Sequence, residues 1–130
     1  MSAASLILSR MERGSHRTLG TVGEDAALAE YLADGYRLVV RNWRCRLGEI
    51  DLILSRGSVL VICEVKARRG FAFGAPHDAV TRVKQRKLTT LAEAFLQSTG
   101  ARPDALRFDV ASVVVSRSGR PTVELFELAF

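Results

Sequence analysis

The stretch GEIDLILSRGSVLVICEVKARR, residues 48–69, decides the fold of this chain. Runs of Leu, Ile and Val on both sides of a Gly-Ser pair predict two buried strands joined by a two-residue hairpin turn. Asp51, Glu64 and Lys66 place charges inside these apolar runs. The function of the protein depends on why the charges are there.

The hairpin turn determines which side chains face each other. With Gly57 and Ser58 as the turn, Asp51 lies directly opposite Glu64 on the neighbouring strand. Side chains in such a pair have Cβ atoms about 4.5–5.5 Å apart, and like charges in this position destabilise the sheet. Lys66 falls on the same face as Glu64, because side chains alternate along a strand.

The two faces of the hairpin have different compositions. One is entirely apolar and is predicted to face the core; it carries Ile50, Leu52, Leu54, Val61, Cys63 and Val65. The other face carries the charges at one end and becomes apolar at Ile53, Leu60 and Ile62. The charges therefore occupy one end of a partly buried surface.

Two carboxylates held together beside an apolar wall repel each other and lose hydration, and a divalent cation relieves both effects. Oxygen ligands select hard ions, so Asp51 and Glu64 predict a site for Mg²⁺ or Mn²⁺. The alternative is a solvated strand face of alternating charge, on which Glu49 and Lys66 form a surface ion pair.

The remaining periodicity predicts two helices and three further strands. The helices cover residues 21–35 and 81–99, and the strands cover residues 36–44, 105–115 and 122–128. We expect one domain, residues 19–130, after a loosely ordered leader at residues 1–18. The order of elements is helix, three strands, helix, strand, strand.

Composition narrows the cellular context. Two cysteines, Cys45 and Cys63, fit neither a disulfide framework nor a zinc site, so a cytoplasmic location is expected. No apolar run reaches the ~20 residues of a membrane span. Residues 41–87 hold eleven Lys or Arg against four acids, whereas the rest of the chain holds eight against ten. The positive charge is therefore concentrated around the acid pair.

Two polar side chains on the helices are predicted to point towards the sheet. Glu24 shares a helix face with Leu28, although Thr21 and Glu24 also have the spacing of a capping box, which would use this carboxylate locally. Gln85 shares a face with Leu88 near the start of the second helix. A helix that needed only solubility would not direct an amide to its apolar side.

These features together resemble a known family. The segments GEDAALAEYLADGYRLVVRNWRCRLGEIDLI, CEVKAR, AVTRVKQRKL and RFDVASV, in this order, resemble the uncharacterised bacterial YraN family over residues 20–130. The order of elements and the group Asp51, Glu64, Val65 and Lys66 resemble the PD-(D/E)xK nuclease superfamily. Proteins similar to YraN are themselves related in fold to archaeal-type Holliday junction resolvases. The resemblance implies an α/β fold with a restriction-endonuclease-like αβββαβ core, in which helices flank a mixed central sheet.

The same resemblance implies a metal-dependent nuclease. It assigns Mg²⁺ or Mn²⁺ to Asp51, Glu64 and the carbonyl of Val65, and it makes Asp51, Glu64 and Lys66 catalytic. It extends the catalytic set to Glu24 and Gln85. The expected reaction is hydrolysis of phosphodiester bonds in branched, flapped or single-stranded DNA.

Basic side chains near the acid pair are expected to contact the nucleic acid backbone, namely Arg41, Arg44, Arg46, Arg68, Arg69, Lys84 and Lys87. A resolvase that cuts two strands symmetrically would need a twofold homodimer. Two other functions stay open: a catalytically inactive nucleic-acid-binding module, and a protein-interaction domain that binds an acidic partner.

Overall fold

A computed structural model of the protein describes residues 17–70 and 81–127. Its helices and strands, in chain order, are α1 (Leu19–Ala33), β1 (Arg37–Cys45), β2 (Gly48–Arg56), β3 (Val59–Arg69), α2 (Arg82–Thr99), β4 (Ala105–Val115) and β5 (Pro121–Glu127). The predicted leader lies outside the described residues except for Arg17 and Thr18. Within the described ranges, neither helix has the combined length and hydropathy of a membrane-spanning segment.

The strands form one mixed sheet in the order β1-β2-β3-β4-β5. β3 and β4 are parallel, and every other neighbouring pair is antiparallel. The connection between the parallel strands contains α2, as a parallel crossover requires. The predicted α/β class and restriction-endonuclease-like αβββαβ core are confirmed, and β5 extends the sheet.

α1 begins two residues earlier than the sequence pattern predicts. Thr18 is its N-cap, and the Thr18 hydroxyl accepts a hydrogen bond from the Thr21 amide at 3.1 Å. Thr21 is therefore inside the helix, and the alternative capping box of Thr21 and Glu24 is wrong. The Glu24 carboxylate is left available for contacts outside the helix.

α2 has the predicted ends. Thr81 caps it by accepting a hydrogen bond from the Lys84 amide at 3.2 Å, and Gly100 ends it in the left-handed conformation at φ 72°. Left-handed backbone favours glycine because a side chain would meet the preceding carbonyl. One side of α2 is apolar and buried at Leu88, Leu91 and Phe95.

The predicted hairpin register is confirmed, but the β2–β3 ladder is short. It extends from Arg56 opposite Val59 to Leu52 opposite Cys63. β3 continues along β4 to its last residue, Arg69. β2 and β3 therefore separate just where Asp51 and Glu64 occur.

Each face of the sheet is covered by one helix. The α1 core contains Ala27, Leu28, Tyr31, Leu52, Leu54, Val61, Cys63, Ala111 and Val113. The α2 core contains Ile50, Ile53, Leu60, Ile62, Leu91, Ala92 and Phe95. The apolar end of the charged hairpin face is thus buried under α2, which places the charges at the edge of that core.

Ile50 is an exception to the predicted alternation. The sequence pattern places it beside Leu52, but it is 1% exposed in the α2 core instead. Asn42, on the neighbouring strand β1, has φ 54°, a left-handed conformation that non-glycine residues seldom adopt and that Asn tolerates best. We attribute the change of face to this local distortion of β1 and β2.

The α1 core also contains one buried carboxylate, on Asp109. Its oxygens accept hydrogen bonds from the Tyr31 hydroxyl at 2.6 Å and from two nitrogens of Arg107, each at 2.9 Å. Asp109 is 1% exposed. Its charge is therefore fully compensated by donors from α1 and β4 itself.

Candidate active site

A cleft of about 310 Å³ opens where β2 and β3 separate beneath α2. Three carboxylates line it, those of Glu49, Asp51 and Glu64, and α2 adds Lys84 and Lys87. The sheet thus supplies the acidic side chains and the helix supplies the basic ones. The predicted acid pair shares one concave site.

Asp51 fills the gap that the shortened ladder leaves. The backbone amide of Val65 donates to Asp51 Oδ2 at 2.8 Å, in place of a hydrogen bond to the β2 main chain. The amide and carbonyl of one strand residue point to the same side of the strand. The Val65 carbonyl is therefore directed to the side of β3 on which Asp51 lies, which is what a shared cation would require.

The negative charge of Asp51 is poorly compensated. Burial raises the pKa of Asp51 to about 6, against the lowering effect of the Val65 amide, and the charges of Glu24, Glu64 and Glu49 raise it further. A group with this pKa holds its charge at neutral pH at a cost in free energy. A cation bound beside Asp51 would remove that cost.

Lys66 belongs to the same site. Its Nζ lies 3.0 Å from Glu64 Oε1, and both side chains are mostly buried. Burial alone would lower the pKa of Lys66, but the neighbouring carboxylates of Glu64 and Asp51 outweigh this effect and raise the pKa. The proximity of Lys66 lowers the pKa of Lys84. Lys66 and Lys84 therefore lie side by side at the acid pair.

The donor set suits Mg²⁺ or Mn²⁺ bound by few protein ligands. Within residues 17–70 and 81–127, no three His, Cys, Asp or Glu side chains are close enough to hold a metal ion together. Mg²⁺ usually keeps several waters and binds one or two carboxylates plus substrate phosphates. Asp51, Glu64 and the Val65 carbonyl fit this mode of binding, and a dense all-protein site is not required.

Glu24 approaches from α1 but is held by an arginine. Arg41 Nε donates to Glu24 Oε1 at 3.1 Å, and Arg41 Nη1 donates to Asp25 Oδ1 at 2.5 Å. Asp25 also pairs with Arg17. Glu24, predicted to be catalytic, thus lies near enough to raise the pKa of Asp51. Arg41, predicted to contact nucleic acid, instead forms ion pairs with two carboxylates of α1.

Gln85 is not among the residues that line the acidic cleft. It lines a second cavity beside Arg82, Arg86 and Phe108, whereas Lys84, one residue earlier, faces the acids. The structure therefore brings together Asp51, Glu64, Lys66 and Lys84, and it places Glu24 and Gln85 at the periphery.

The other predicted contact residues surround the cleft. Arg44 is 74% exposed and pairs with Glu49 at 3.1 Å, while Lys66 pairs with Glu64. Glu49 and Lys66 therefore have other partners and do not form the surface ion pair that the sequence left open as an alternative. Arg46, Arg69 and Lys87 are exposed, and Arg68 is half-buried. That these side chains contact nucleic acid stays a prediction.

Sequence patterns missed one residue that positions α1. Gly23 is buried, and a Cβ atom there would lie 2.7 Å from Ala67 Cβ and 3.3 Å from Val65 Cγ1. Only glycine lets α1 approach β3 this closely, next to Glu24. The signal was a glycine inside a helix, where it is unfavourable without a packing reason.

Comparison with known proteins identifies relatives of this chain. A model of the family described as "Uncharacterised protein family UPF0102" matches residues 23–113. A UPF0102 protein of Symbiobacterium thermophilum is 47% identical over 88% of this chain and 97% of its own length. Another from Clavibacter michiganensis is 43% identical over 85% of this chain and 94% of its own length, and one from Nocardia farcinica is 40% identical over 98% and 99%.

Proposed function

The chain belongs to the uncharacterised protein family UPF0102, the YraN family, and from its cleft we propose that it is a metal-dependent nuclease that hydrolyses phosphodiester bonds in structured DNA. The observation that carries the proposal is the position of Asp51. Its carboxylate is half-buried at the open end of the sheet, among other carboxylates, with a raised pKa. A divalent cation bound at this site would offset the free-energy cost of this arrangement.

The proposal favours an enzyme over an inactive binding module. A module that only held nucleic acid would gain from cations and would lose affinity through three carboxylates in the same cleft. Glu49, Asp51 and Glu64 line the cleft together with Lys84 and Lys87. This mixture of charges suits phosphodiester hydrolysis, in which a metal and cations act on one phosphate.

The roles follow from the contacts. Asp51, Glu64 and the Val65 carbonyl would hold Mg²⁺ or Mn²⁺, and the ion would supply polarisation of the scissile phosphate and a lowered pKa for a water molecule. Lys66 is hydrogen-bonded to Glu64, so it is fixed where it can orient that water or neutralise charge that develops on the phosphate. We assign Lys84 to the phosphate as well, in the place that the sequence had given to Gln85.

The basic side chains around the cleft would hold the backbone of the substrate. Such contacts carry no sequence information, so recognition would depend on the shape of the DNA, as expected for branched, flapped or single-stranded substrates. Their number also predicts that affinity falls steeply with salt. Arg44, Arg46, Arg69 and Lys87 are the exposed side chains of this set.

The test is a cleavage assay on a panel of branched, flapped, single-stranded and duplex DNAs with Mn²⁺. Wild type is expected to cut at least one structured DNA, and Lys66→Ala is expected to lose about 100-fold or more in rate. Glu93→Gln, an exposed acid on α2 outside the cleft, is the matched control and should cut like wild type.

Cleavage that persists unchanged in Lys66→Ala would assign the activity to a contaminant and overturn the proposal. Tight DNA binding with no cleavage by any preparation would favour the inactive binding module. Binding to an acidic protein that salt does not weaken, without DNA binding, would favour the interaction domain.

A further inference from the structure

α2 separates two cavities that share no lining residue. The first is the acidic cleft. The second, of about 730 Å³, lies between α2 and β4 and is lined by Arg82, Gln85, Arg86, Thr89, Thr90 and Phe108. We call the second cavity the arginine groove.

Helical geometry places the two cavities on different flanks of α2. Residues three or four apart share one face of a helix, so Lys84, Leu88 and Leu91 border the cleft. Arg82, Arg86 and Thr89 repeat with the same spacing on another face and border the groove. α2 therefore stands between the two cavities as a wall with cations on each side.

The chemistry of the two cavities differs. The cleft contains carboxylates that can hold a metal, whereas the lining of the arginine groove contains none. Arg82 and Arg86 are exposed, and within the described residues neither forms an ion pair. The groove is thus cationic and without metal ligands.

The position of Arg82, in the first turn, is unfavourable for the helix itself. The first turn of α2 contains no acidic residue, and the positive end of the helix dipole disfavours arginine there. An anion bound along Arg82 and Arg86 would offset this repulsion. Arg82 and Arg86 are about one helical turn apart, a spacing that suits two successive phosphates of a nucleic acid strand.

We propose that the arginine groove binds the strand that is not cut, so that α2 separates two diverging strands of a forked DNA. This inference rests on the proposed function, because it places the cut strand in the acidic cleft. The uncut strand lies where no carboxylates can bring a metal to it. The half-buried ring of Phe108 provides an aromatic surface against which a base of that strand can pack.

The test compares Arg82→Glu/Arg86→Glu with wild type by fluorescence anisotropy in EDTA, so that no cleavage occurs. The probes are a labelled fork with two unpaired arms, one single strand and one duplex of matched length. Acidic residues near a helix start are favourable, so the variant is expected to keep the thermal midpoint of wild type. The control is Arg37→Glu/Arg102→Glu, an equal charge change at two exposed arginines outside both cavities.

The expected result is a loss of affinity for the fork of about tenfold or more, with less than about threefold loss for the single strand and the duplex. The salt dependence of fork binding should also become less steep by about two phosphate contacts. The control should lower all three affinities slightly and equally.

An equal loss for all three DNAs, or an unchanged affinity for the fork, would overturn the inference. In either of these cases, cleavage of DNA by the same variant with Mn²⁺ would show that the proposed function stands although the inference has failed. If wild type bound none of the three DNAs, both would fail.

Discussion

Two aspartates of the central sheet have little access to water, and their surroundings are opposite. Asp109, in the α1 core, accepts hydrogen bonds from the Tyr31 hydroxyl and from Nε and Nη2 of Arg107. Asp51, at the edge of the α2 core, accepts one from the Val65 amide and has its pKa raised by burial and by neighbouring carboxylates. The charge of Asp109 is compensated within the protein, whereas that of Asp51 is poorly compensated, which is why we propose that a cation binds there.

If the proposed function holds, the difference separates a structural charge from a functional one. A buried charge that has its donors helps to specify one packing arrangement, and removing its partner is costly. A half-buried charge without a cation lowers stability, and proteins tolerate such sites where function needs them. The same substitution at the two aspartates should therefore have opposite effects.

The largest effect is expected for Asp109→Asn. This change removes the negative charge opposite Arg107, whose side chain is 14% exposed, and leaves that cation only the more distant Glu127 carboxylate at 3.6 Å. We expect the free energy of unfolding to fall by about 3 kcal/mol, measured by urea denaturation. A change below about 1 kcal/mol would show that Asp109 is not the structural member of the comparison.

Gly23→Ala is expected to have the next largest effect. The new Cβ atom would lie 2.7 Å from Ala67 Cβ, so α1 must move away from β3. We expect a net loss of about 1–2 kcal/mol, because overpacking exceeds the gain in helix propensity. Ala29→Gly, an exposed position on the same helix, should cost only the propensity difference of about 1 kcal/mol and serves as the reference. Increased stability of Gly23→Ala would contradict the close packing.

Asp51→Asn is expected to stabilise the metal-free protein. The pKa of Asp51 is raised from 3.8 to about 6, so the folded state binds its proton more tightly than the unfolded chain. The resulting stabilisation is complete below about pH 3.8 and is lost as the pH rises through about 6. Asn keeps an oxygen for the Val65 amide and carries no charge.

We therefore expect Asp51→Asn to raise the free energy of unfolding by about 1–2 kcal/mol at pH 7, after allowance for partial exposure, with little change at pH 4. Urea denaturation in EDTA at both pH values measures the difference. A variant less stable than wild type at pH 7 would mean that Asp51, like Asp109, is compensated within the protein.

The smallest effect is expected for Arg44→Ala. The Arg44 side chain is 74% exposed, and its ion pair with Glu49 at 3.1 Å lies at the mouth of the cleft. Exposed pairs of this kind contribute little, so thermal unfolding should change by less than about 0.5 kcal/mol. A larger loss would show that the cleft mouth, and not only its interior, depends on paired charges.

The sequence predicted most of the fold because its signals are local. A Gly-Ser turn determines the β2–β3 register, and Thr81 and Gly100 mark the ends of α2. The register in turn places Asp51 and Glu64 at the same end of the hairpin, where both line the cleft. These features need only a few neighbouring residues to be recognised.

The features that the sequence did not predict depend on three-dimensional packing. The left-handed conformation of Asn42, and with it the displacement of Ile50, leaves no periodic signal. Lys84 and Gln85 are adjacent, and only the placement of α2 on the sheet decides which one faces the acids. The partners of Asp109 lie on α1 and on β4, far apart in the chain from each other.

The most direct test of the central claim is titration calorimetry with Mn²⁺ in the absence of DNA, for wild type, Asp51→Asn and the control Glu93→Gln. We expect wild type and the control to bind Mn²⁺ alike, and Asp51→Asn to bind it at least about tenfold more weakly. Equal binding by all three proteins, or none by wild type, would contradict the claim that Asp51 is a metal ligand.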